Sequence, residues 1–127
     1  MSETTLVLGA SLKPERYSNI AIGKLVDNSL NVKAFGLKSG IVKGVDIDTE
    51  LKPYKNIDTV TLYVNPQRQK DYYSYILNLN PKRVIFNPGT ENPEFYDLLI
   101  ENNIHAEVAC TLVLLATNQY LNYSENE

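Results

Sequence analysis

Cysteine, histidine and tryptophan are almost absent from this sequence. Its 127 residues include one cysteine, one histidine and no tryptophan. A single cysteine excludes an internal disulfide, and one cysteine with one histidine is too few for the ligand set of a zinc site. A basic excess is also lacking, because 12 Lys and Arg stand against 15 Asp and Glu. Nucleic-acid binding is therefore not expected.

Long hydrophobic runs are missing too. No apolar stretch approaches the ~20 residues that span a bilayer, and residues 1–5 have no basic flank like that of a signal peptide. We therefore expect a cytoplasmic protein without membrane contact. The apolar content of 43% and the charged content of 21% are typical of a globular chain. The length suits one domain over residues 1–127, with the polar residues 122–127 frayed at the end.

Short apolar runs alternate with helical patterns along the chain. Apolar residues at helical spacing follow several of the runs, and a final helix or extended arm is expected over 111–120. The stretch 37–56 has no helical period, so it is interpreted as a long connection with a short strand near 45–47. The expected strands are residues 5–10, 32–35, 58–64, 83–86 and 104–108. The first is a short apolar run typical of a buried parallel strand, and the third is rich in Thr, Val, Leu and Tyr, which favour strands.

Several polar residues mark expected helix ends. Asn65-Pro66 and Asn92-Pro93 have the residue types preferred at an N-cap and at the first helical position. Asn80-Pro81 is expected to end the helix that begins at Pro66. Ser18 or Asn19 is suited to cap the first helix.

The alternation of strands and helices predicts an α/β fold. We expect a doubly wound domain whose sheet is mainly parallel, has about five strands and carries helices on both faces. Right-handed crossovers place every strand-to-helix loop at the carboxyl edge of such a sheet. Ligands of these sheets bind at that edge, where the strand order reverses.

The loops expected at that edge combine helix starts with basic side chains. They carry Lys13, Arg16, Lys38 and Arg68. A helix start exposes free backbone N–H groups and a partial positive charge. The edge therefore favours an anionic ligand, and phosphate is the commonest kind.

The segment Gly9-Ala10-Ser11 directly follows the first strand and has two interpretations. It is either a phosphate-binding loop or a tight turn that only connects strand to helix. Ser11 and Pro14 stand where a dinucleotide motif would have its next glycines, and no Gly-Lys-Ser/Thr follows. After the second strand, the carboxylate of an NAD site is missing. Lys38 at that place suits a ribose phosphate, as in NADP or coenzyme A, or is a solvated loop lysine.

The segment from Val7 to Asn19 resembles the opening motif of the small stand-alone CoA-binding domain proteins. It has that family's hydrophobic strand, its Gly-x-Ser, its Lys-Pro-x-Arg segment and a serine before the first helix. Residues 84–94 resemble the family's later strand, glycine and Asn-x-Glu helix start, and residues 109–112 resemble its cysteine-containing segment. The fold is also similar to the N-terminal domain of the succinyl-CoA synthetase α subunit, which implies a single Rossmann-like domain.

This resemblance implies that the ligand is coenzyme A or an acyl-CoA. The Gly-x-Ser segment would receive phosphate groups, and the arginine and polar residues after it would hold the pyrophosphate or the helix start. The lysine after the second strand would meet the ribose 3′-phosphate. The third loop would line the adenine or pantetheine side, and the fourth would border the pantetheine arm. The candidate binding residues are Gly9, Ala10, Ser11, Lys13, Arg16, Tyr17, Ser18, Asn19, Gly36, Leu37, Lys38, Tyr63, Val64, Asn65, Pro66, Asn87, Pro88 and Gly89.

The sequence favours a binding protein over an enzyme. The synthetase uses a phosphorylated histidine from a second domain that this chain does not have, and His105 is expected at the sheet edge opposite to the ligand. Cys110 is interpreted either as a buried small side chain or as a thiol that forms a mixed disulfide with pantetheine. Asp46, Asp48 and Glu50 are interpreted as a solvated face rather than a metal site. The alternatives are a small NADP- or other nucleotide-dependent enzyme, or an interaction subunit whose protein partner supplies the catalytic domain.

Overall fold

The computed structural model describes residues 3–121, which form a seven-stranded sheet with helices packed on it. The residues expected to be frayed, 122–127, lie outside the described residues. A 3₁₀ turn, Lys70–Tyr72, connects the helix Pro66–Gln69 to the helix Tyr73–Leu79. The strands are β1 (Thr4–Ala10), β2 (Asn31–Gly36), β3 (Gly40–Val42), β4 (Val45–Asp48), β5 (Ile57–Leu62), β6 (Arg83–Phe86) and β7 (His105–Val108). The helices are α1 (Tyr17–Asp27), α2 (Pro66–Gln69), α3 (Tyr73–Leu79), α4 (Pro93–Glu101) and α5 (Thr111–Ala116).

The sheet is doubly wound, as predicted. Its strand order is β3-β4-β2-β1-β5-β6-β7, and every neighbouring pair is parallel except β3 with β4. From β1 the chain moves outward through β2 to β4, and it then returns to place β5 on the other side of β1. The strand order therefore reverses between β1 and β5, which makes the carboxyl ends of these strands the expected ligand site.

Helices cover both faces of β1, and this explains the apolar run in its middle. Leu6 and Leu8 of β1 pack in one core cluster, whereas Val7 between them packs in another. The first cluster includes side chains of α3 and α4, and the second includes side chains of α1 and α5. Since successive side chains of a strand point to opposite faces, both faces of β1 must be apolar.

The number of strands predicted from the sequence was too low. The strand expected near residues 45–47 is β4, which pairs in parallel with β2, and a further short strand, β3, pairs with β4 in antiparallel orientation. Lys43 and Gly44 connect β3 to β4 with positive φ values of 51° and 80°. Positive φ at two successive residues is the geometry of a tight hairpin turn. A strand as short as Gly40–Val42 has no periodic pattern that the sequence could reveal.

The predicted caps of two helices are confirmed. The Asn65 side chain accepts a hydrogen bond from the Arg68 N–H at 2.9 Å, and the Asn92 side chain accepts one from the Phe95 N–H at 3.3 Å. Each of these asparagines precedes a proline at the start of a helix. Asn80 ends α3 in the left-handed conformation, with φ 52°.

Two helix predictions were wrong. The helix expected from Pro66 onward is divided into α2, the 3₁₀ turn and α3. The first helix starts earlier than expected, at Tyr17, with Arg16 at its N-cap and no side-chain capping hydrogen bond. Ser18 and Asn19 therefore lie within its first turn and do not cap it. Among residues 3–121, none of the helices combines the length and the apolar character needed to cross a bilayer.

Candidate functional site at the carboxyl edge of the sheet

A cleft opens at the carboxyl edge of the sheet, at the place where the strand order reverses. Its volume is about 460 Å³, and the ends of β1, β2 and β5 with the segments that follow them form its walls. We call it the edge cleft. It is lined by Leu8, Gly9, Ala10, Ser11, Leu12, Lys13, Arg16, Phe35, Gly36, Leu37, Lys38, Tyr63, Val64, Arg68 and Tyr72.

Four cationic side chains line the edge cleft. Lys13 and Arg16 come from the β1–α1 loop, Lys38 from the segment after β2 and Arg68 from α2. Within residues 3–121 none of these four has an ion-pair partner. The sequence placed all four in loops of this edge, and the structure brings them to one cleft. The ion pairs of the described chain use other cations, namely Lys43, Lys52, Lys82 and Arg83.

Hydrogen bonds fix the shape of the β1–α1 loop. The Ser11 hydroxyl oxygen accepts a bond from the Lys13 N–H at 3.1 Å, and the Arg16 N–H donates to the Lys13 carbonyl at 3.1 Å. The Asn19 amide, in the first turn of α1, donates to the Ser11 carbonyl at 2.9 Å. The loop is therefore held in a turn before any ligand binds. Preorganisation of this kind lowers the entropic cost of binding.

Two glycines allow the backbones at the base of the cleft to approach each other. Gly9 has φ +102°, and a Cβ atom there would lie 3.0 Å from the Tyr63 carbonyl carbon. A Cβ atom on Gly36 would lie only 2.3 Å from the Ala10 carbonyl oxygen. Both positions therefore require glycine because of contacts within the protein. β1 also shifts register against β2 between Leu8 and Ala10, which marks a bulge at Gly9.

Aromatic side chains form another part of the cleft wall. The rings of Phe35 and Tyr72 lie edge to face, with centroids 5.7 Å apart. Burial raises the pKa of Tyr63 to about 12, so its hydroxyl is neutral at physiological pH. The cleft thus combines cations and backbone groups with apolar and aromatic surface.

The comparisons with known proteins agree with this geometry. The sequence profile of the family described as "CoA binding domain" matches residues 3–116. The chain belongs to this family. The resemblance noted in the sequence is thereby confirmed, and so is the Rossmann-like fold.

Several solved structures have the fold of this CoA-binding domain. A crystal structure of an uncharacterised protein is 44% identical, with a TM-score of 0.90, and the match covers 94% of this chain and 98% of that chain. The protein cell-free ID.343 from Thermus thermophilus is 23% identical, with a TM-score of 0.82 and coverage of 93% and 90%. A hypothetical protein from Pyrococcus horikoshii OT3 is 24% identical, with a TM-score of 0.81 and coverage of 93% and 84%. No curated protein matches the sequence.

Many of the residues predicted to bind the ligand line the edge cleft of this CoA-binding domain, and the rest lie outside its lining. Tyr17 and Asn65 are exposed, and Ser18 is buried in the first turn of α1. The binding roles of these residues stay predictions. The candidate residues outside the lining of the cleft are Tyr17, Ser18, Asn19, Asn65, Pro66, Asn87, Pro88 and Gly89.

Asn87 is buried directly after β6, where it connects three elements. Its amide nitrogen donates to the Thr61 hydroxyl at 2.7 Å and to the Leu62 carbonyl at 2.8 Å. Its side-chain oxygen accepts a bond from the Thr111 N–H at 2.9 Å, at the start of α5. The side chain thus holds β5, β6 and α5 together at the carboxyl edge. Pro88, by contrast, is exposed.

Gln69 supports the same edge and was not singled out from the sequence. The side chain is fully buried, and its amide nitrogen donates to the carbonyls of Val64 at 2.9 Å and Thr90 at 2.8 Å. Its oxygen accepts a bond from the Asn92 amide at 2.8 Å. Gln69 therefore ties the segments after β5 and β6 together and fixes α2, which carries Arg68. A buried glutamine has no local sequence pattern that distinguishes it from an exposed one.

The sequence also did not assign Leu8, Leu12, Phe35 and Tyr72 to the site, although all four line the cleft. Leu12 lies against β3, since a Cβ atom on Gly40 would come within 2.5 Å of the Leu12 side chain. Of these four, only Leu12 has a sequence feature that could have assigned it to the site, namely an apolar residue within a mostly polar loop.

The remaining reactive residues lie away from the cleft lining. His105 is exposed at the start of β7, on the amino edge of the sheet, as predicted. Cys110 is half-buried at the N-cap of α5, and its mixed disulfide stays a prediction. Asp48 is more than part of a solvated face, because its carboxylate accepts hydrogen bonds from Tyr54 and from Lys52. No cluster of His, Cys, Asp and Glu suited to a metal ion occurs within residues 3–121.

Proposed function

We propose that the edge cleft binds coenzyme A or an acyl-CoA and that the domain catalyses no reaction on it. The observation that carries this proposal is the convergence of Lys13, Arg16, Lys38 and Arg68 on one cleft, without ion-pair partners among residues 3–121. An acidic chain that gathers cations at one place is suited to a polyanionic ligand there. Membership of the CoA binding domain family supports coenzyme A as that ligand.

The phosphate groups have distinct partners in this proposal. The diphosphate lies over the Gly9–Ser11 backbone and contacts Lys13 and Arg16. The N-cap of α1 makes no side-chain capping bond, and the N–H groups of Asn19 and Ile20 donate to the Arg16 carbonyl. The N–H groups of Tyr17 and Ser18 can therefore donate to a phosphate. Lys38, directly beyond β2, contacts the 3′-phosphate of the ribose.

The types of side chain in the cleft favour binding over chemistry. They are cations, apolar and aromatic groups, together with a serine hydroxyl that already accepts a bond from the Lys13 N–H. The histidine lies at the other edge of the sheet. Incubation of the protein with acetyl-CoA should therefore release no free thiol above the rate without protein. Protein-dependent thiol release would contradict the non-catalytic part of the proposal.

Isothermal titration with four ligands tests the binding part. We expect coenzyme A to bind about tenfold more tightly than 3′-dephospho-CoA, since a charge-assisted hydrogen bond contributes roughly 1.5–3 kcal/mol. NADP and NAD should bind more weakly than coenzyme A. The substitution Lys38→Ala should make coenzyme A and 3′-dephospho-CoA bind equally.

Lys55→Ala is the matched control, because Lys55 is an exposed lysine outside the cleft lining. It should leave both affinities unchanged. Equal binding of the two ligands to the unaltered protein would remove Lys38 from its proposed role. Tighter binding of NADP than of coenzyme A would favour a nucleotide-dependent enzyme, and no binding of any ligand would refute the function.

A further inference from the structure

We propose that two copies of this chain associate through β7, with their β7 strands paired in antiparallel orientation about a twofold axis at Ala106. β7 is an outer strand of the sheet, and within residues 3–121 it pairs only with β6. It contains neither lysine nor proline, two residues that commonly keep an outer strand from pairing with another chain. This surface is separate from the lining of the edge cleft, and the proposal does not depend on the ligand.

The backbone of β7 directs hydrogen-bonding groups to its outer side. The N–H groups of His105 and Ala109 donate to carbonyl groups of residues 82–86, at 3.0 Å and 3.2 Å, so both point toward β6. Backbone groups alternate in direction from one residue of a strand to the next. The N–H groups of Ala106 and Val108 therefore point away from β6, where the strand of a second copy can pair with them.

The side chains of this segment match in one register of the twofold pairing. Opposing residues of antiparallel strands lie on the same face of the sheet, so the axis must pass at a residue and not between two residues. An axis at Ala106 places His105 opposite Glu107 of the second copy, and the symmetry makes this pair twice. The same register places Ile104 opposite Val108, and both are apolar. An axis at His105 would oppose two imidazoles, and an axis at Glu107 would oppose two carboxylates, which is destabilising.

The protein already holds the Glu107 carboxylate in position. Its Oε1 accepts a hydrogen bond at 3.1 Å from Nη1 of Arg83, whose side chain is fully buried. The Glu107 side chain is 22% exposed, and a carboxylate accepts hydrogen bonds at both of its oxygens. His105 is exposed, and an imidazole N–H can donate to a carboxylate in either protonation state. The paired strands thus bring a donor to an acceptor whose orientation is fixed in advance.

Exposed apolar side chains accompany β7 along the chain. Val108 itself is 57% exposed, and Ile100 of α4 and Val113 of α5 are 63% and 56% exposed. These two helices directly precede and follow β7 and pack on opposite faces of the sheet. A strand of four residues alone buries less than the roughly 1,000 Å² of a stable interface, so we expect the exposed side chains of α4 and α5 to contribute.

Sedimentation velocity over a range of protein concentrations tests this inference. The natural protein should pass from the chain mass of 14.3 kDa to twice that mass, with a dissociation constant of about 10 μM. Ala106→Pro removes an outward N–H group and keeps the bonds to β6, so it should weaken the dimer about tenfold or more. His105→Glu places a carboxylate opposite Glu107 of the second copy and should also weaken it about tenfold. His105→Lys keeps a donor there and should stay within about threefold.

Ile41→Glu is the matched control, because Ile41 is 68% exposed in β3, the strand at the opposite side of the sheet. It introduces the same carboxylate and should leave the dissociation constant within about twofold. Far-UV circular dichroism checks the fold of each variant, and the two His105 variants decide the test if Ala106→Pro does not fold. In the natural protein, amide exchange at Ala106 and Val108 should slow as the concentration rises.

Three results would overturn the proposed contact. A natural protein that stays monomeric up to about 1 mM would do so, including one that becomes a dimer only when residues 122–127 are removed. A dimer that His105→Glu leaves as stable as His105→Lys does would show that the strands do not pair at Ala106. A dimer that Ile41→Glu disrupts would assign the contact to β3 instead.

Discussion

Replacing Gly36 with alanine should destabilise the protein, because the new methyl group has no space. A Cβ atom at this position would lie 2.3 Å from the Ala10 carbonyl oxygen and 3.1 Å from the Ile47 side chain. The oxygen belongs to the backbone of β1, which is paired with Gly36 in the sheet, so it cannot rotate away. The ends of β1 and β2 must therefore separate. Overpacking of this kind costs roughly 1–3 kcal/mol, and we expect a loss of about 2–3 kcal/mol in the free energy of unfolding.

Gly23→Ala is the matched control, since it makes the same chemical change in a place with room. A Cβ atom there would lie 3.5 Å from the flexible end of the Lys43 side chain, which is an ordinary contact. Gly23 lies inside α1, where alanine is favoured over glycine by about 0.8–1 kcal/mol, so this variant should be more stable.

Urea denaturation followed by far-UV circular dichroism measures both changes, and the chain has no tryptophan to serve as a fluorescence probe. Gly36→Ala should lower the urea midpoint with little change in slope, and Gly23→Ala should raise it. An unfolding free energy of Gly36→Ala within about 0.5 kcal/mol of the natural protein, the range of neutral surface substitutions, would refute the close-contact argument.

Two further predictions concern the hydrogen bonds around the sheet. Asn87→Ala should lower the free energy of unfolding by about 2–4 kcal/mol in urea denaturation, because the Leu62 carbonyl and the Thr111 N–H would both lose a buried partner. A loss below about 1 kcal/mol would contradict the structural role of the Asn87 side chain. The hydrogen bond from Tyr54 holds the pKa of Asp48 below its ordinary value of 3.8. The carboxylate then contributes stability that is present above pH 3.8 and is lost as the pH falls through the lowered pKa. Asp48→Asn should therefore be less stable than the natural protein at pH 7, and the unfolding free energies of the two proteins should converge as the pH is lowered. A difference between the two free energies that stays constant down to pH ~2 would contradict the linkage.

The sequence predicts the central strands well because their environment is uniform. All residues of β5 and β6 are buried, although Asp58 and two threonines of β5 and Arg83 of β6 are polar. The β-branched Ile, Val and Thr residues, which favour strands, still mark these segments in the sequence. The edge of the sheet is harder to predict. β3 has only three residues, and its pairing with β4 depends on a hairpin turn at Lys43 and Gly44. The break between α2 and α3 is also a tertiary effect, because the buried Gln69 amide holds α2 against the carbonyls of Val64 and Thr90.

The cationic part of the edge cleft could likewise be predicted, whereas its aromatic part could not. Lys13, Arg16 and Lys38 lie in the segments that follow β1 and β2, so the topology alone brings them to one edge. Tyr72 has the spacing of an ordinary core residue of a helix, and its contact with Phe35 joins residues far apart in the chain. Only the fold shows that the 3₁₀ turn places this ring at the end of β2.

Stability and affinity, measured together, distinguish the two ways in which residues of this edge can affect binding. Gly36 and Asn87 act through protein contacts, so their substitution should lower the unfolding free energy and, through the displaced backbone, the affinity as well. Lys38 is exposed and has no ion pair among residues 3–121, so Lys38→Ala should change the free energy of unfolding by less than about 0.5 kcal/mol. A loss of coenzyme A affinity in Lys38→Ala without loss of stability therefore identifies a direct contact. If Asn87→Ala loses both coenzyme A affinity and stability, the disturbed fold alone accounts for the lost affinity. The predicted contact of Asn87 with pantetheine would then have no support.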